Sequence, residues 1–211
     1  MAVSKKSEVT RDRVISVSSD LFRRNGYLAT SMRDIAAAAG MKSGSLYYYY
    51  ESKEMLLAAI LNQNMDETLC KLEATVAALP NGVSVRAKFR AAAKANVKII
   101  IDAGDMAIAS GRTLSLLPEP EYSEQVKHRE AYNDFWRKLL VEGKKSGELK
   151  PGMSDALVSM FVIGAMSFVP EWYDPSRSST EDIAEYYAKL LFDGISATKR
   201  APKAANDAAD E

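Results

Sequence analysis

Apolar residues recur at helical spacing along this 211-residue chain, and no stretch shows the alternation typical of a half-buried strand. Proline and glycine are confined to a few clusters that separate the apolar stretches, such as Pro80-Asn81-Gly82 and Pro151-Gly152. The pattern predicts an all-α protein of about nine helices. We expect them at about 10–25, 31–39, 43–49, 52–79, 85–102, 105–117, 122–146, 155–169 and 180–197, the last capped by Thr180.

The chain carries no sign of secretion or of a membrane span. Lys5 and Lys6 are not followed by the apolar run of a signal peptide. The longest apolar stretch, 156–169, is shorter than the roughly 20 residues that span a bilayer. The single cysteine, Cys70, excludes an internal disulfide framework. We therefore expect a cytoplasmic protein that needs no membrane.

The net charge of zero hides an uneven distribution. Residues 1–60 carry nine basic and six acidic side chains, whereas the rest of the chain carries 19 and 22. A basic end on an acidic body suits a protein that presents that end to a polyanion.

Residues 29–50, ATSMRDIAAAAGMKSGSLYYYY, form a coherent unit of two short helices. Thr30 or Ser31 can cap the first helix and leave a dipole-positive end that suits a phosphate. Gly40 can adopt the left-handed conformation of the turn, and Leu46 anchors the second helix inward. The small or apolar residues that permit close packing of the two helices are Ile35, Ala36 and Ala39.

The second of these helices has the features of a recognition helix. Its first residues are short or basic and stand where such a helix meets base edges in the major groove: Lys42, Ser43, Gly44 and Ser45. The four consecutive tyrosines, 47–50, cannot share one helix face, so some must be exposed and able to bond a phosphate. Lys53 stands one turn further on and could neutralise another phosphate.

This segment resembles the DNA-binding domain of TetR-family repressors. The resemblance covers about residues 10–60 and rests on Phe22, Gly26-Tyr27, Thr30-Ser31, Asp34-Ile35-Ala36, Ala39-Gly40, Gly44-Ser45-Leu46-Tyr47 and Ser52-Lys53-Glu54. It implies that Arg33 and residues 42–45 face the bases. It also implies that the DNA backbone is contacted by Thr30, Ser31, Tyr47, Tyr49 and Lys53, while Tyr48 reaches either. Tyr50 departs from the family, where phenylalanine is common, so its hydroxyl needs a polar edge. The alternative is a generic three-helix subdomain with a tyrosine-rich surface.

The same resemblance predicts the domain organisation. We expect a flexible N-terminal arm at 1–9, the helix-turn-helix domain at 10–52, a helical effector-binding and dimerisation domain at 53–197, and a disordered tail at 198–211. The helix at 156–169 is apolar on every side and must be covered on every side. TetR-family dimers pair their last two helices in a four-helix bundle, which would bury Ser159, Gly164, Ala165, Ile183, Tyr187, Leu190, Leu191 and Gly194. The alternative is that these helices form only an intrachain core.

An effector cavity is a further implication of the family. The aromatic and methionine residues expected to line it are Phe89, Met106, Leu114, Phe135, Trp136, Phe161, Met166, Phe168 and Trp172, although such residues also form ordinary core. Residues 147–149, 172–175 and 179–184 resemble a TetR branch that regulates lipid and steroid catabolism. An acyl-CoA-type or steroid-derived effector, and no cofactor, would follow. The basic groups available for a CoA moiety are Lys98, Arg112, Arg129 and Arg137.

The leading hypothesis is therefore a homodimeric repressor that a small, largely apolar effector releases from a palindromic operator. A ligand-independent or activating regulator of the same fold is the alternative. No catalytic motif supports an enzyme, and His128 with Cys70 cannot assemble a metal site. A partner-binding scaffold without DNA affinity is disfavoured because Arg33, Lys42 and Lys53 are all present.

Overall fold

The computed structural model describes residues 5–103 and 117–194, and all regular structure in these ranges is helical. The predicted all-α fold class is confirmed. The helices are α1 (Lys5–Asn25), α2 (Met32–Ala38), α3 (Ser43–Tyr49), α4 (Lys53–Ala77), α5 (Val85–Ala103), α6 (Glu121–Lys145), α7 (Asp155–Ser167), α8 (Val169–Trp172) and α9 (Thr180–Phe192).

Four helix boundaries differ from the prediction. Helix α1 begins at Lys5, so residues 5–9 belong to the helix and not to an arm. Pro170 does not end the helical region, because it occupies the first turn of α8, where a missing N–H costs nothing. Helix α9 is capped by Ser179 rather than Thr180, through a capping box with Asp182. It also ends earlier than predicted, shortly before Gly194, whose φ is 74°.

Some predictions fall outside the described residues. These are the N-terminal arm at 1–4, nearly all of the predicted helix at 105–117, and the tail at 198–211.

Two hydrophobic cores lie along the molecule. The N-terminal core joins α1, α2, α3 and the first half of α4, and it includes Val14, Ile35, Leu46 and Leu56. The second core joins the rest of α4 to α5–α9 and is centred on Trp136. Helix α4 contributes to both cores, so it connects the small domain to the body.

Helix α5 lies at the centre of the body, where it packs against α4, α6, α7, α8 and α9. Its stripe of buried residues includes Phe89, Ala92, Ala93, Asn96 and Val97, which recur at helical spacing. Asn96 is the polar member of this stripe. It is wholly buried, so its amide must be satisfied inside the body.

Candidate DNA-binding interface and effector cavity

The first helix of the DNA-binding motif begins with a capping box. The Ser31 hydroxyl accepts a hydrogen bond from the Asp34 backbone N–H, and the Asp34 carboxylate accepts one from the Ser31 backbone N–H. Hydrogen bonds from the Ser31 side chain and backbone lower the pKa of Asp34. Of the two predicted caps, the structure therefore selects Ser31. Arg33 is exposed beside it.

The turn between α2 and α3 has the predicted left-handed glycine. Gly40 has a φ of 63°, a conformation that L side chains rarely adopt. The Arg13 guanidinium donates a hydrogen bond to the Ala39 carbonyl oxygen immediately before it. Arg13 thus fastens α1 to the turn, which holds α3 in position.

Helix α3 presents its short residues to solvent and buries one leucine. Leu46 is fully buried, while Lys42, Gly44 and Ser45 are exposed and Ser43 is partly buried. Lys42 is the N-cap and makes no side-chain capping bond, so its ammonium is not tied to the helix end. The beginning of α3 is therefore exposed to solvent.

The four tyrosines point in different directions, as predicted. Tyr48 is 85% exposed and Tyr47 is also exposed, whereas Tyr49 is partly buried and stacks edge-on against Tyr48. Tyr50 is buried in the N-terminal core. Burial raises the pKa of Tyr50, while the nearby Arg11 charge lowers it and Asp12 raises it.

Two residues predicted to contact DNA have structural partners instead. Thr30 is only 1% exposed, and its hydroxyl donates to the Gly26 carbonyl oxygen at 2.9 Å. The Lys53 ammonium donates to the carbonyl oxygens of Tyr27, at 2.9 Å, and of Thr30, at 3.0 Å. It also lies 4.2 Å from the centroid of the Tyr27 ring. The Thr30 side chain thus closes the loop between α1 and α2 on itself, and the Lys53 side chain holds that loop against α4.

The predicted DNA-binding residues that remain available form one surface. They are the exposed Ser31, Arg33, Lys42, Gly44, Ser45, Tyr47 and Tyr48, with the partly buried Ser43 and Tyr49 beside them. This surface combines two cations with hydroxyl donors and the N-terminal ends of two helices, a composition suited to phosphate and base contacts.

The predicted effector residues are not brought together. Four of them lie in the body core, where Trp136 contacts the rings of Phe89 and Phe135 edge-on and Met166 is fully buried. Phe161, Phe168 and Trp172 are exposed on the outside of the body. Met106 and Leu114 lie outside the described residues. Aromatic content identified the core here, since large rings pack equally well in a core and in a cavity.

The structure places a cavity elsewhere, between the DNA-binding domain and the body. It has a volume of about 320 Å³. Its walls come from α1 (Ser19, Asp20, Arg23), α4 (Leu61, Asn64, Met65, Glu67, Thr68, Lys71), α5 (Asn96, Ile99, Ile100, Ala103), α6 (Gln125, Tyr132) and Ser167. A cavity of this size can enclose a small organic molecule.

The basic groups beside this cavity are Arg23 and Lys71, not the four that the sequence singled out. Lys98 pairs with Asp102 and Arg137 with Asp134, both on exposed helix faces. Burial lowers the pKa of Arg129, which does not line the cavity. Arg112 lies outside the described residues.

Sequence reasoning missed the polar residues of the cavity wall. Asn96 lies within the apolar stripe of α5, and Gln125 is buried near the start of α6. A polar residue at an apolar position of a helix is the signal that could have identified them.

A continuous apolar surface lies on α7–α9. Leu157 is 70% exposed and Phe161 is 65% exposed. The other exposed members are Met160, Gly164, Phe168, Trp172, Tyr186 and Leu190. We call this set the α7–α9 face. A groove of about 470 Å³ runs along it, between the ends of α6 and α9 and past Leu157, Phe161 and Leu190.

Only part of the predicted dimer interface lies on this face. Gly164 and Leu190 do, and Gly194 is exposed at the end of the neighbouring groove. Ser159 and Ile183 are buried within the subunit, and Leu191 packs against its core. The partly buried Tyr187 donates its hydroxyl to the carbonyl oxygen of the partly buried Ala165, at 3.0 Å. The uniformly apolar helix α7 therefore has one covered side and one uncovered side.

The stretch Asp155–Trp172 is long and apolar enough, by length and composition, to cross a membrane, and 22% of it is buried. The helix is interrupted at Phe168, between α7 and α8. Elsewhere among the described residues no helix has these properties.

No group of three or more histidine, cysteine or acidic residues that could hold a metal ion occurs in the described part of the chain. His128 Nδ1 lies 2.6 Å from an Asp66 carboxylate oxygen and so connects α6 to α4. Cys70 is an exposed free thiol.

Comparisons with known proteins agree with this architecture. A family model of bacterial regulatory proteins, tetR family, matches residues 14–60. A model described as tetracyclin repressor-like, C-terminal domain, matches residues 82–195. The HTH-type transcriptional repressor KstR2 of Rhodococcus jostii (strain RHA1) is 29% identical over 199 residues, which cover 88% of this chain and 90% of that protein.

Two solved structures share the fold. The regulator FadR from Bacillus subtilis, in complex with stearoyl-CoA, has a TM-score of 0.74 at 20% identity and covers 88% of this chain and 99% of that one. AibR, in complex with isovaleryl coenzyme A and operator DNA, has a TM-score of 0.71 at 23% identity and covers 87% and 98%. These relatives are consistent with the resemblance to a lipid-regulating branch. The chain belongs to the tetR family of bacterial regulatory proteins and is a DNA-binding transcriptional regulator, not an enzyme.

Proposed function

We propose that this protein is a homodimeric cytoplasmic repressor that leaves a palindromic operator when a small, largely apolar effector fills the cavity between its two domains. One observation carries the proposal. The cavity wall includes Ser19, Asp20 and Arg23 of α1, in the DNA-binding domain, together with α4, α5 and α6 of the body. A ligand there contacts both domains at once.

The α2–α3 surface supports the DNA-binding part of the proposal. Lys42 and Ser45 are exposed at the start of α3, where a recognition helix meets base edges, and Arg33 is exposed on α2. Two such helices in a twofold dimer, about 34–36 Å apart, would enter successive major grooves of a palindrome.

The α7–α9 face supports the dimer. Large side chains such as Leu157 and Phe161 are mostly exposed in the single subunit. Monomeric proteins rarely leave so many large apolar side chains exposed together. A second copy of the face, related by a twofold axis, would cover both, and the small Gly164 would let the two α7 helices approach closely.

Effector release follows from the position of the cavity. Helix α4 contributes Leu56 to the N-terminal core and Leu72 to the body core, so a change in its inclination moves one domain relative to the other. An effector shifts the equilibrium only by its different affinities for the DNA-bound and released states. Contacts with α1 provide such a difference, because α1 belongs to the domain that moves.

The walls favour an effector that is mainly apolar. Leu61, Met65, Ile99 and Ile100 provide apolar contacts. Lys71 and Arg23, which pairs with Asp20 at 2.6 Å, stand on the same walls and could meet the phosphates of a CoA moiety. Stearoyl-CoA and isovaleryl coenzyme A are the ligands of the two related structures, so an acyl-CoA-type compound is our first choice.

The test is a titration of the full-length dimer on a fluorescent duplex, itself selected by the protein from a random-sequence library. Acyl-CoA thioesters with short, long and ring-containing acyl groups are then added, and anisotropy reports release. We expect at least one of them to raise the apparent Kd for DNA by tenfold or more. Tight, salt-dependent DNA binding that no thioester changes would instead support a ligand-independent regulator. Binding that a thioester strengthens would contradict release as the mechanism.

A further inference from the structure

Three buried polar side chains stand together on the inner wall of the cavity: Asn96, Tyr132 and Gln125. Two of them satisfy each other. The Tyr132 hydroxyl donates to Asn96 Oδ1 at 3.2 Å, and Asn96 Nδ2 donates to Met166 Sδ at 3.4 Å. Burial raises the pKa of Tyr132 to about 12, so its hydroxyl stays protonated at any physiological pH.

The amide oxygen of Gln125 has no such partner. The Gln125 side chain is 1% exposed, and Oε1 is buried without a hydrogen bond among the described residues. Gln125 stands seven residues before Tyr132 on α6, and two helical turns bring both residues to the same face. Both residues line the cavity, so the Gln125 side chain stands on its α6 wall.

A buried amide oxygen without a hydrogen-bond partner destabilises the folded protein, because it loses its hydrogen bonds to water and forms none in their place. A leucine or methionine would fill the same space without that cost. An apolar effector alone would also prefer an apolar wall. At the cavity wall, a hydrogen-bond donor on the effector would pair with Oε1 and remove that cost.

We propose that the effector carries a hydroxyl group that donates a hydrogen bond to Gln125 Oε1, while its apolar skeleton lies against Met65, Ile99 and Ile100. This inference rests on the proposed effector cavity and specifies the chemistry of its ligand. A ketone or ester oxygen only accepts hydrogen bonds, so it leaves Oε1 unpaired. An ammonium group could donate, but it would lose its hydration in a mainly apolar site.

The probes are three compounds with one skeleton: decalin, 1-decalone and decahydro-1-naphthol. Equilibrium dialysis against the full-length protein measures their affinities, and each affinity is compared between the wild type and Gln125→Leu. Because each ligand is compared with itself in two proteins, the free energy of hydrating the unbound ligand cancels. We expect decahydro-1-naphthol to lose roughly tenfold in affinity, the usual scale of one hydrogen bond to a neutral group. Decalin and 1-decalone should bind equally well or more tightly.

A control on the same helix is Glu130→Leu. Glu130 is exposed on α6 and does not line the cavity. Its substitution should leave all three affinities unchanged.

The thermal stability of the unliganded variants is a second, independent measurement. Because Oε1 is unpaired, Gln125→Leu and the equally long Gln125→Met should melt at or above the wild-type Tm. A Tm well below that of the wild type in both variants would mean that the amide holds the fold together, and would overturn the proposal. Three binding results would also overturn it. These are an equal loss of affinity for all three probes in Gln125→Leu, no loss of affinity for decahydro-1-naphthol, and no binding of any probe to the wild type.

These outcomes are separable from failure of the proposed function. Probe binding that depends on Gln125 but never changes DNA affinity would contradict effector release and leave the hydroxyl site standing. If acyl-CoA thioesters release the protein from DNA but Gln125→Leu changes the affinities for decahydro-1-naphthol and decalin equally, the hydroxyl site is contradicted and effector release is left standing.

Discussion

The carboxylate of Glu148 accepts a hydrogen bond from the Val85 backbone N–H at 2.8 Å, and its second oxygen accepts one from the next N–H, that of Arg86, at 3.0 Å. A residue 63 positions away thus caps the first turn of α5, the central helix of the body. The helix start has no acidic residue of its own in its first turn. Glu148 supplies the negative charge that the helix dipole favours there.

Glu148→Gln should therefore lower the free energy of unfolding at pH 7 by about 1 kcal/mol, as for the loss of a helix cap. Burial raises the pKa of Glu148, but the hydrogen bonds from Arg86 and Val85 outweigh it and the net pKa is lowered. A carboxyl with a lowered folded-state pKa stabilises the protein above its unfolded pKa, about 4.3, and stops doing so as the pH falls through the folded value. Urea unfolding at several pH values should show that the difference in free energy of unfolding between the wild type and Glu148→Gln disappears in that acidic range. The exposed Glu130→Gln serves as control, and an equal effect there would contradict the cap.

Lys42→Gln should weaken binding to the selected duplex by about tenfold or more, since a base or phosphate contact at the start of α3 is lost. The Tm should not change, because Lys42 is exposed and makes no capping bond. Anisotropy titrations at several salt concentrations measure the effect. Lys138→Gln, an exposed lysine on the body, should leave DNA affinity unchanged.

Lys53→Gln, unlike Lys42→Gln, should lower the stability of the protein and leave the salt dependence of DNA binding nearly unchanged. Its ammonium bonds two carbonyl oxygens and lies over the Tyr27 ring, so its loss should cost about 1–3 kcal/mol of stability. The slope of log K against log salt should stay close to that of the wild type. A slope reduced by about one at unchanged Tm would show that Lys53 neutralises a phosphate after all.

Phe161→Glu should convert the proposed dimer to a monomer, because it places a charge on the α7–α9 face. Sedimentation equilibrium measures the mass, and affinity for the palindromic duplex should fall with it. The control is Leu28→Glu, which changes an 88%-exposed leucine of the DNA-binding domain. A dimer that survives Phe161→Glu would place the interface elsewhere.

Thr68→Trp should fill part of the cavity and make DNA binding insensitive to effector, while DNA affinity without effector stays close to that of the wild type. Thr75→Trp is its matched control. Both threonines lie on α4 and donate to the carbonyl oxygen four residues earlier at 2.7 Å, but Thr75 does not line the cavity. Release that persists in Thr68→Trp, measured by the same anisotropy titration, would move the effector site away from this cavity.

The DNA-binding motif was predictable because its signals are local. The capping role of Ser31, the left-handed turn at Gly40 and the inward Leu46 all depend on residues within one or two turns. The bracing roles of Thr30 and Lys53 were not predictable. The Thr30 partner, Gly26, depends on the conformation of the loop after α1, and the Lys53 partner, Tyr27, depends on how that loop packs on α4.

The sequence by itself determined the helical class, the position of the DNA-binding motif and the presence of an apolar helix that needs cover. Tertiary structure alone decided which side of α7 stays uncovered, since a helix that is apolar all round gives no preferred face. It also decided that the aromatic residues near Trp136 form a core while the cavity lies between Arg23, Asn96 and Gln125. These three residues are spread over about a hundred positions of the chain, and only the packing of α1, α5 and α6 against α4 brings them together.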